Sequence, residues 1–300
     1  MIPPRLQGVP TIVLSSLLFG GMGVLARSVA GRMPVGQLAF IRMLVGLILL
    51  VGVFVLLKTS PDWRRHPGLL LIRGVLGGLS VALWFVALEH MQVGPATLLN
   101  NTAPAYAALF GTLFLREKAT VELLVGLGIA MGGAALVVFS TLAPGQSFHL
   151  GIGATAGLVS AVLSGGAMTA MRALRRDTDT FSVLFSFVFL GSLVTLPMAL
   201  HEGGPVVTSL VPHAVLVGTL SFAGQLLLTN AFRYVPVMIG SATTQLTTVF
   251  AWTLGVLVLG EEVSALGVLG ATICITGVVV ASGLGARGGR ALLRGRNPRA

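Results

Sequence analysis

The chain has 300 residues, of which 55% are apolar and only 9% charged. An average soluble domain carries about 25% charged residues, so this inventory excludes a water-soluble fold, and the mean hydropathy of +0.95 agrees. The net charge of +10 points to lipid rather than nucleic acid, because the basic residues are confined to a few short loops and to Arg287, Arg290, Arg294, Arg296 and Arg299 of the tail.

The apolar stretches are about 20 residues long, the length of a membrane-spanning helix. In chain order they are predicted at 9–30, 35–57, 69–89, 92–115, 120–140, 151–173, 180–200, 210–231, 236–259 and 264–284. The pattern predicts an all-α integral membrane protein with ten transmembrane helices. The first stretch, with Arg5 before it and Ser28-Val29-Ala30 near its end, imitates a cleaved signal peptide; it is read as a retained helix because the repeat below gives it a partner. With the N-terminus inside, the inner loops hold Lys58, Arg64 and Arg65, then Arg116 and Lys118, then Arg175 and Arg176, then Arg233, and the outer loops little beyond Arg32. Short loops rich in Lys and Arg resist translocation, so both the N and C termini are placed in the cytoplasm.

A shift of 144 aligns 87–133 on 231–277 without a gap, matching Ala87 with Ala231, Val93 with Val237, Gly111 with Gly255, Glu117 with Glu261, Gly126 with Gly270 and Gly133 with Gly277. A shift of 145 pairs Gly20 and Gly21 with Gly165 and Gly166, Arg27 with Arg172, and Gly46 with Gly191. Each half holds an odd number of helices, so the second copy enters the membrane from the opposite side: a 5+5 inverted-topology repeat. The predicted units are 1–145, 146–286 and a basic cytoplasmic tail, 287–300. Charge supports the inversion, since the break after helix two is basic where its partner around His201 and Glu202 is not.

The runs TAPAYAALFGTLFLREKAT and TQLTTVFAWTLGVLVLGEEVS close helices four and nine with Leu115-Arg116-Glu117 and Leu259-Gly260-Glu261, and a Gly-rich helix follows each. This pattern resembles the EamA-type carriers of the drug/metabolite transporter superfamily over nearly the whole chain. The resemblance implies a central cavity lined by helices 1, 3, 4, 6, 8 and 9, in a carrier often exporting amino acids or related metabolites. One departure is Thr248 where the first half has Pro104, which would leave any proline kink to one half.

A carrier needs polar groups at depth, where they persist only if a partner or a cavity receives them. Helix four offers Asn100, Asn101 and Thr102, and helix nine offers Thr243, Thr244, Gln245, Thr247 and Thr248. Asn101 aligns with Gln245, so two carboxamides that both donate and accept flank the midplane; helix-to-helix hydrogen bonding is the competing use. Ser221, Gln225 and Thr229 recur every four residues and share one face of helix eight. Trp84, Tyr106 and Trp252 lie inside spans rather than at their ends, suited to stacking or to plain packing. Pro104 marks a bend, gating or static. Arg42, Arg27 and Arg172 lie near span ends and are expected to snorkel, with a carboxylate contact by Arg42 as the functional version.

All nine Asp and Glu residues lie at or near loops, so proton relay through a mid-span carboxylate is not expected. No metalloprotease motif, paired intramembrane Asp or phosphate-binding loop speaks for a membrane enzyme. The lone Cys274 sits in an apolar run, and neither a cofactor nor a metal is expected. Phosphorylated or nucleotide-linked sugars would want several basic residues converging in the cavity, and Arg42 alone offers that. The expectation is an exporter of the bacterial inner membrane for a small-molecule substrate, foremost amino acids with aromatic or other apolar side chains; another metabolite class, such as a sugar, a nucleotide-linked sugar or a drug, is the alternative. The partners are that substrate and the lipid bilayer, with no nucleic acid. A monomer suffices, and a dimer is compatible.

Overall fold

The computed structural model describes residues 4–29, 32–90, 93–140, 151–201, 208–260 and 262–282. The tail arginines, Glu261, Glu202 and the junction at 145 lie outside them. The described chain is helical: α1 (Pro4–Val29), α2 (Val35–Leu57), α3 (Pro67–His90), α4 (Val93–Asn100), α5 (Ala103–Leu115), α6 (Val121–Phe139), α7 (Ile152–Leu174), α8 (Thr180–His201), α9 (Val211–Ala231), α10 (Val237–Thr244), α11 (Leu246–Leu259) and α12 (Ala265–Ser282). Eight spans, with α10 and α11 taken together as Val237–Leu259, are long and apolar enough to cross a membrane; Ala103–Leu115 and Ala265–Ala281 are shorter apolar helices. Hydrocarbon offers backbone groups no partner, which is why such sequences hold their hydrogen bonds within helices. Val55, Leu56, Phe114 and Leu257 are more than two-thirds exposed, as side chains facing lipid are.

Helix ends follow local chemistry. Thr120 caps α6 by accepting from the Leu123 N–H, with Glu122 in the first turn. Arg116 and Gly260, equivalent under the shift of 144, close α5 and α11 in the left-handed conformation at φ 54° and 68°.

The two halves embrace. Helix α1 packs on α9 and α11, and its counterpart α7 packs on α3 and α5. Ser15 donates to the Gly224 carbonyl at 2.7 Å, and Ser160 donates to the Ser80 carbonyl at the same distance. Gly20 abuts Phe250 and Ala251, while Gly165 abuts Tyr106 and Ala107. Each pair maps onto its fellow by the repeat shift. Gly126, Ala130, Gly133 and Val137 of α6 meet Ala281, Gly277, Cys274 and Gly270 of α12 in that order. Positions rise on one helix as they fall on the other, so these equivalent helices run antiparallel, as an inverted repeat requires.

Two predicted helices are not continuous. The stretch 92–115 divides at Asn101 and Thr102, and 236–259 is pinched at Gln245. In the first, Pro104 has no N–H to give, and the Ala105 N–H goes to the Thr102 carbonyl, leaving the Asn101 carbonyl without its helical partner. Pro104 thus sits in the first turn of α5 rather than halfway along a bent helix. In the second, Thr243 and Thr244 bond back to the Ile239 and Ser241 carbonyls, and the Thr248 N–H tightens onto Gln245. Threonine back-bonding loosens a helix without a proline. The proline stays confined to the first half, as expected, and the second half is pinched at the equivalent place without one.

Candidate functional site

The pinches of the two repeats touch. Gln245 Nε2 donates to the freed Asn101 carbonyl at 2.9 Å, and Asn101 Nδ2 donates to Thr248 Oγ1 at 3.1 Å. Gln245 is 3% exposed. The two carboxamides do not stand apart across an open midplane; they join the halves at the weakest backbone of each. Thr244 is spent locally on Ser241, and Asn100 is half-buried one residue before the break.

The face of α9 behaves as its spacing predicts. Ser221, Gln225 and Thr229 are all buried. Ser221 Oγ accepts from Arg42 Nε at 2.6 Å, so Arg42 of α2 turns inward and does not snorkel, a correction whose cause is the hydroxyl one helix away. Thr229 Oγ1 lies 3.4 Å from Met171 Sδ, and its carbonyl accepts from Arg175 Nε at 3.1 Å. Gln225, between them, has no hydrogen-bond partner among the described residues.

Arg73 of α3 is a buried cation that sequence reasoning missed. In the window 69–89 it stands near an edge and passes for a span-end charge. The structure buries it at 3% exposure. Its guanidinium lies 4.3 Å from the centroid of the Phe187 ring and 4.0 Å from Met171 Sδ, and its Nε has no partner. The available signal was that Arg73 is the one basic residue of α3 before His90.

The aromatic candidates separate. Trp252 presses its six-membered ring on Gly267 of α12, so packing against the neighbouring span occupies it. Tyr106 sets its Cβ against Gly165 of α7 and is half-buried. Trp84 meets Phe85 edge-on at 5.1 Å, with its indole N–H buried and unpartnered.

One end of the bundle is clamped. Glu117, after α5, accepts from Arg172 Nε at 3.1 Å and from the Val237 N–H at 2.7 Å, at the start of α10. Arg172 also donates to the Phe232 and Arg233 carbonyls. Its expected snorkelling is replaced by this pair, because the loop after α9 supplies acceptors within reach. At the same end Arg65 donates to the Asp177 carbonyl, and burial, with Arg233 nearby, lowers the pKa of Arg175 against the opposing pull of Asp179 and Tyr234. A surface cleft of about 680 Å³ lies there, lined among others by Arg175, Asp177, Asp179, Asn230 and Arg233; its charges are of both signs.

Two antiparallel-related bundles, joined at pinched helices and enclosing a buried polar stripe, define a membrane carrier of the inverted-repeat class. The model of the EamA-like transporter family matches residues 6–139 and again 151–283, and the chain belongs to that family. It is accordingly a multi-pass membrane transporter and not an enzyme. It is similar to the pseudopaline exporter CntI of Pseudomonas aeruginosa, 28% identical over 92% of this chain and 96% of that protein. An uncharacterized transporter of Archaeoglobus fulgidus is 25% identical over 91% and 96% of the two chains, and solute carrier family 35 member G1 of Mus musculus is 25% identical over 74% and 63%. A solved crystal structure shares the fold with a TM-score of 0.80 at 18% identity, covering 94% of this chain and 99% of the other.

Proposed function

We propose that the protein is a ten-span exporter of the bacterial inner membrane that moves small polar metabolites, amino acids and their derivatives foremost, outward by alternating access. The observation that carries this reading is the junction of the pinched helices, where Gln245 of one repeat holds the freed Asn101 carbonyl of the other. Irregular backbone at membrane depth is tolerated only where protein or a cavity satisfies it, and carriers place their sites at such points. The eight long spans are completed by Val93–Leu115, taken as one interrupted crossing, and by α12. Lys58, Arg65, Arg116, Arg175 and Arg233 all follow helices that end at the clamped face, and Arg32 alone among the described loop bases follows one that ends at the other. Such a charge bias supports a cytoplasmic position for the clamped face and for both termini. Units 1–145 and 146–286 then act as the two rocking bundles, with 287–300 as tail, and Glu117 with Arg172 holds the inward gate shut. One chain supplies both bundles, so a monomer suffices, and a dimer is compatible. The similarity to a pseudopaline exporter supports outward carriage of an organic metabolite.

The test is counterflow of labelled amino acids in proteoliposomes of the purified protein. Accumulation above empty vesicles is expected, and Asn101→Ala or Gln245→Ala should slow it about tenfold, as loss of a buried hydrogen bond worth about 1.5 kcal/mol would. Flux of another metabolite class with none for any amino acid refutes the substrate reading.

A further inference from the structure

Two cations, on α2 and α3, lie toward the two ends of the polar α9 face, and no carboxylate among the described residues pairs with either. At one end Arg42 reaches Ser221. At the other, Thr229 and Arg73 share the sulfur of Met171, at 3.4 and 4.0 Å. Ser221 and Thr229 are about 12 Å apart by the rise of the helix, and the unpartnered Gln225 lies between them. Among the described residues the ion pairs are His66 with Asp177 and Arg172 with Glu117, so neither Arg42 nor Arg73 has a carboxylate.

A guanidinium carries five N–H donors. Arg42 has one of them on a hydroxyl, and Arg73 rests on an aromatic face and a thioether with its Nε orphaned. A cation on an aromatic ring recovers only part of what an uncompensated ion loses on leaving water. Two such cations at the ends of one polar stripe are accounted for if the counter-ion is the cargo.

We propose that Arg42 and Arg73 are the cationic ends of an anion-binding track along α9, and that the transported solute is an elongated anion bearing a carboxylate near each end. This rests on the transport reading above and names the class of its substrate. The planar guanidinium fork matches a carboxylate with two parallel hydrogen bonds. Gln225 offers both a donor and acceptors to the middle of the solute, where an amide, amine or hydroxyl would sit. Facing two fixed cations, a neutral solute of the same length accepts single hydrogen bonds but gains no ion pair.

The experiment measures binding of α,ω-dicarboxylates of rising length, succinate to sebacate, to the full-length protein in detergent micelles, each against its uncharged diamide. The dicarboxylates are expected to bind at least about tenfold more tightly than their diamides, with an optimum at the longer members. Arg42→Gln and Arg73→Gln should each remove about tenfold to a hundredfold of that preference, and Arg73→Lys should restore part of it. The comparison of acid with diamide in the unmodified protein does not depend on whether either variant folds. Equal binding of acid and diamide at every length overturns the proposal, as does a preference unchanged by both glutamine variants. Amino-acid counterflow in the same preparation keeps the two claims apart. Flux without any preference for the acids leaves a carrier and removes the anion track, while arginine-dependent preference without amino-acid flux keeps the track and removes amino acids as cargo.

Discussion

The glycines of α6 and α12 look alike in sequence, but the structure divides them into two kinds with opposite responses to a methyl group. A Cβ on Gly133 would lie 2.2 Å from the Cys274 nitrogen, and one on Gly277 would lie 2.2 Å from the Ala130 nitrogen. Ordinary contact begins near 3.4 Å, so the two backbones would have to part by roughly 1 Å. Each obstacle is backbone, with no flexible tip to swing aside, and the separation would loosen close-packed contacts along the whole pair. Overpacking of this kind costs about 1–3 kcal/mol. A Cβ on Gly128 or Gly132 meets nothing within 4 Å, and alanine there should stabilise by about 0.5–1 kcal/mol through helix entropy. The single cysteine of the chain, Cys274, is fully buried in this interface, so its rate of reaction with a fluorescent maleimide during slow heating reports directly on separation of the pair. Gly133→Ala and Gly277→Ala should speed labelling by about fivefold to 150-fold, whereas Gly128→Ala and Gly132→Ala should leave it unchanged or slower. Equal rates in the four variants would show that α6 and α12 do not meet as described.

Glu117→Gln keeps an acceptor for the Val237 N–H but removes the charge opposite Arg172, a charged hydrogen bond worth about 1.5–3 kcal/mol. In a Cys274→Ala background, a cysteine replacing the fully buried Thr229 should then react about tenfold or more faster with a reagent supplied from the cytoplasmic side; an unchanged rate would show that the ion pair is not a gate. Arg116 holds a left-handed φ that its repeat partner Gly260 adopts without strain, so Arg116→Gly should raise the unfolding free energy by about 1 kcal/mol and Gly260→Ala lower it by a similar amount. Shifts of the same sign in both variants would contradict the cap assignment.

The sequence by itself determined that lipid is the solvent, roughly where the spans lie, and that the chain is a duplication. Composition and span length are local properties, and a repeat shift needs only two aligned strings. The shared face of Ser221, Gln225 and Thr229 was legible for the same reason, since helical periodicity fixes which residues point together. Tertiary structure decided the rest. That helices four and nine break depends on which backbone groups find partners: Gln245 supplies the Asn101 carbonyl with a hydrogen bond that no local pattern announces. Trp252 could line a cavity or pack until Gly267 of α12 took its ring, and Arg172 could snorkel until Glu117 stood beside it. Arg73 differs only in depth from a span-end arginine, and depth is set by where α3 begins and what α7 and α8 lay against it. A charge in hydrocarbon takes its meaning from its neighbours, and those come from parts of the chain about a hundred residues away, Met171 and Phe187.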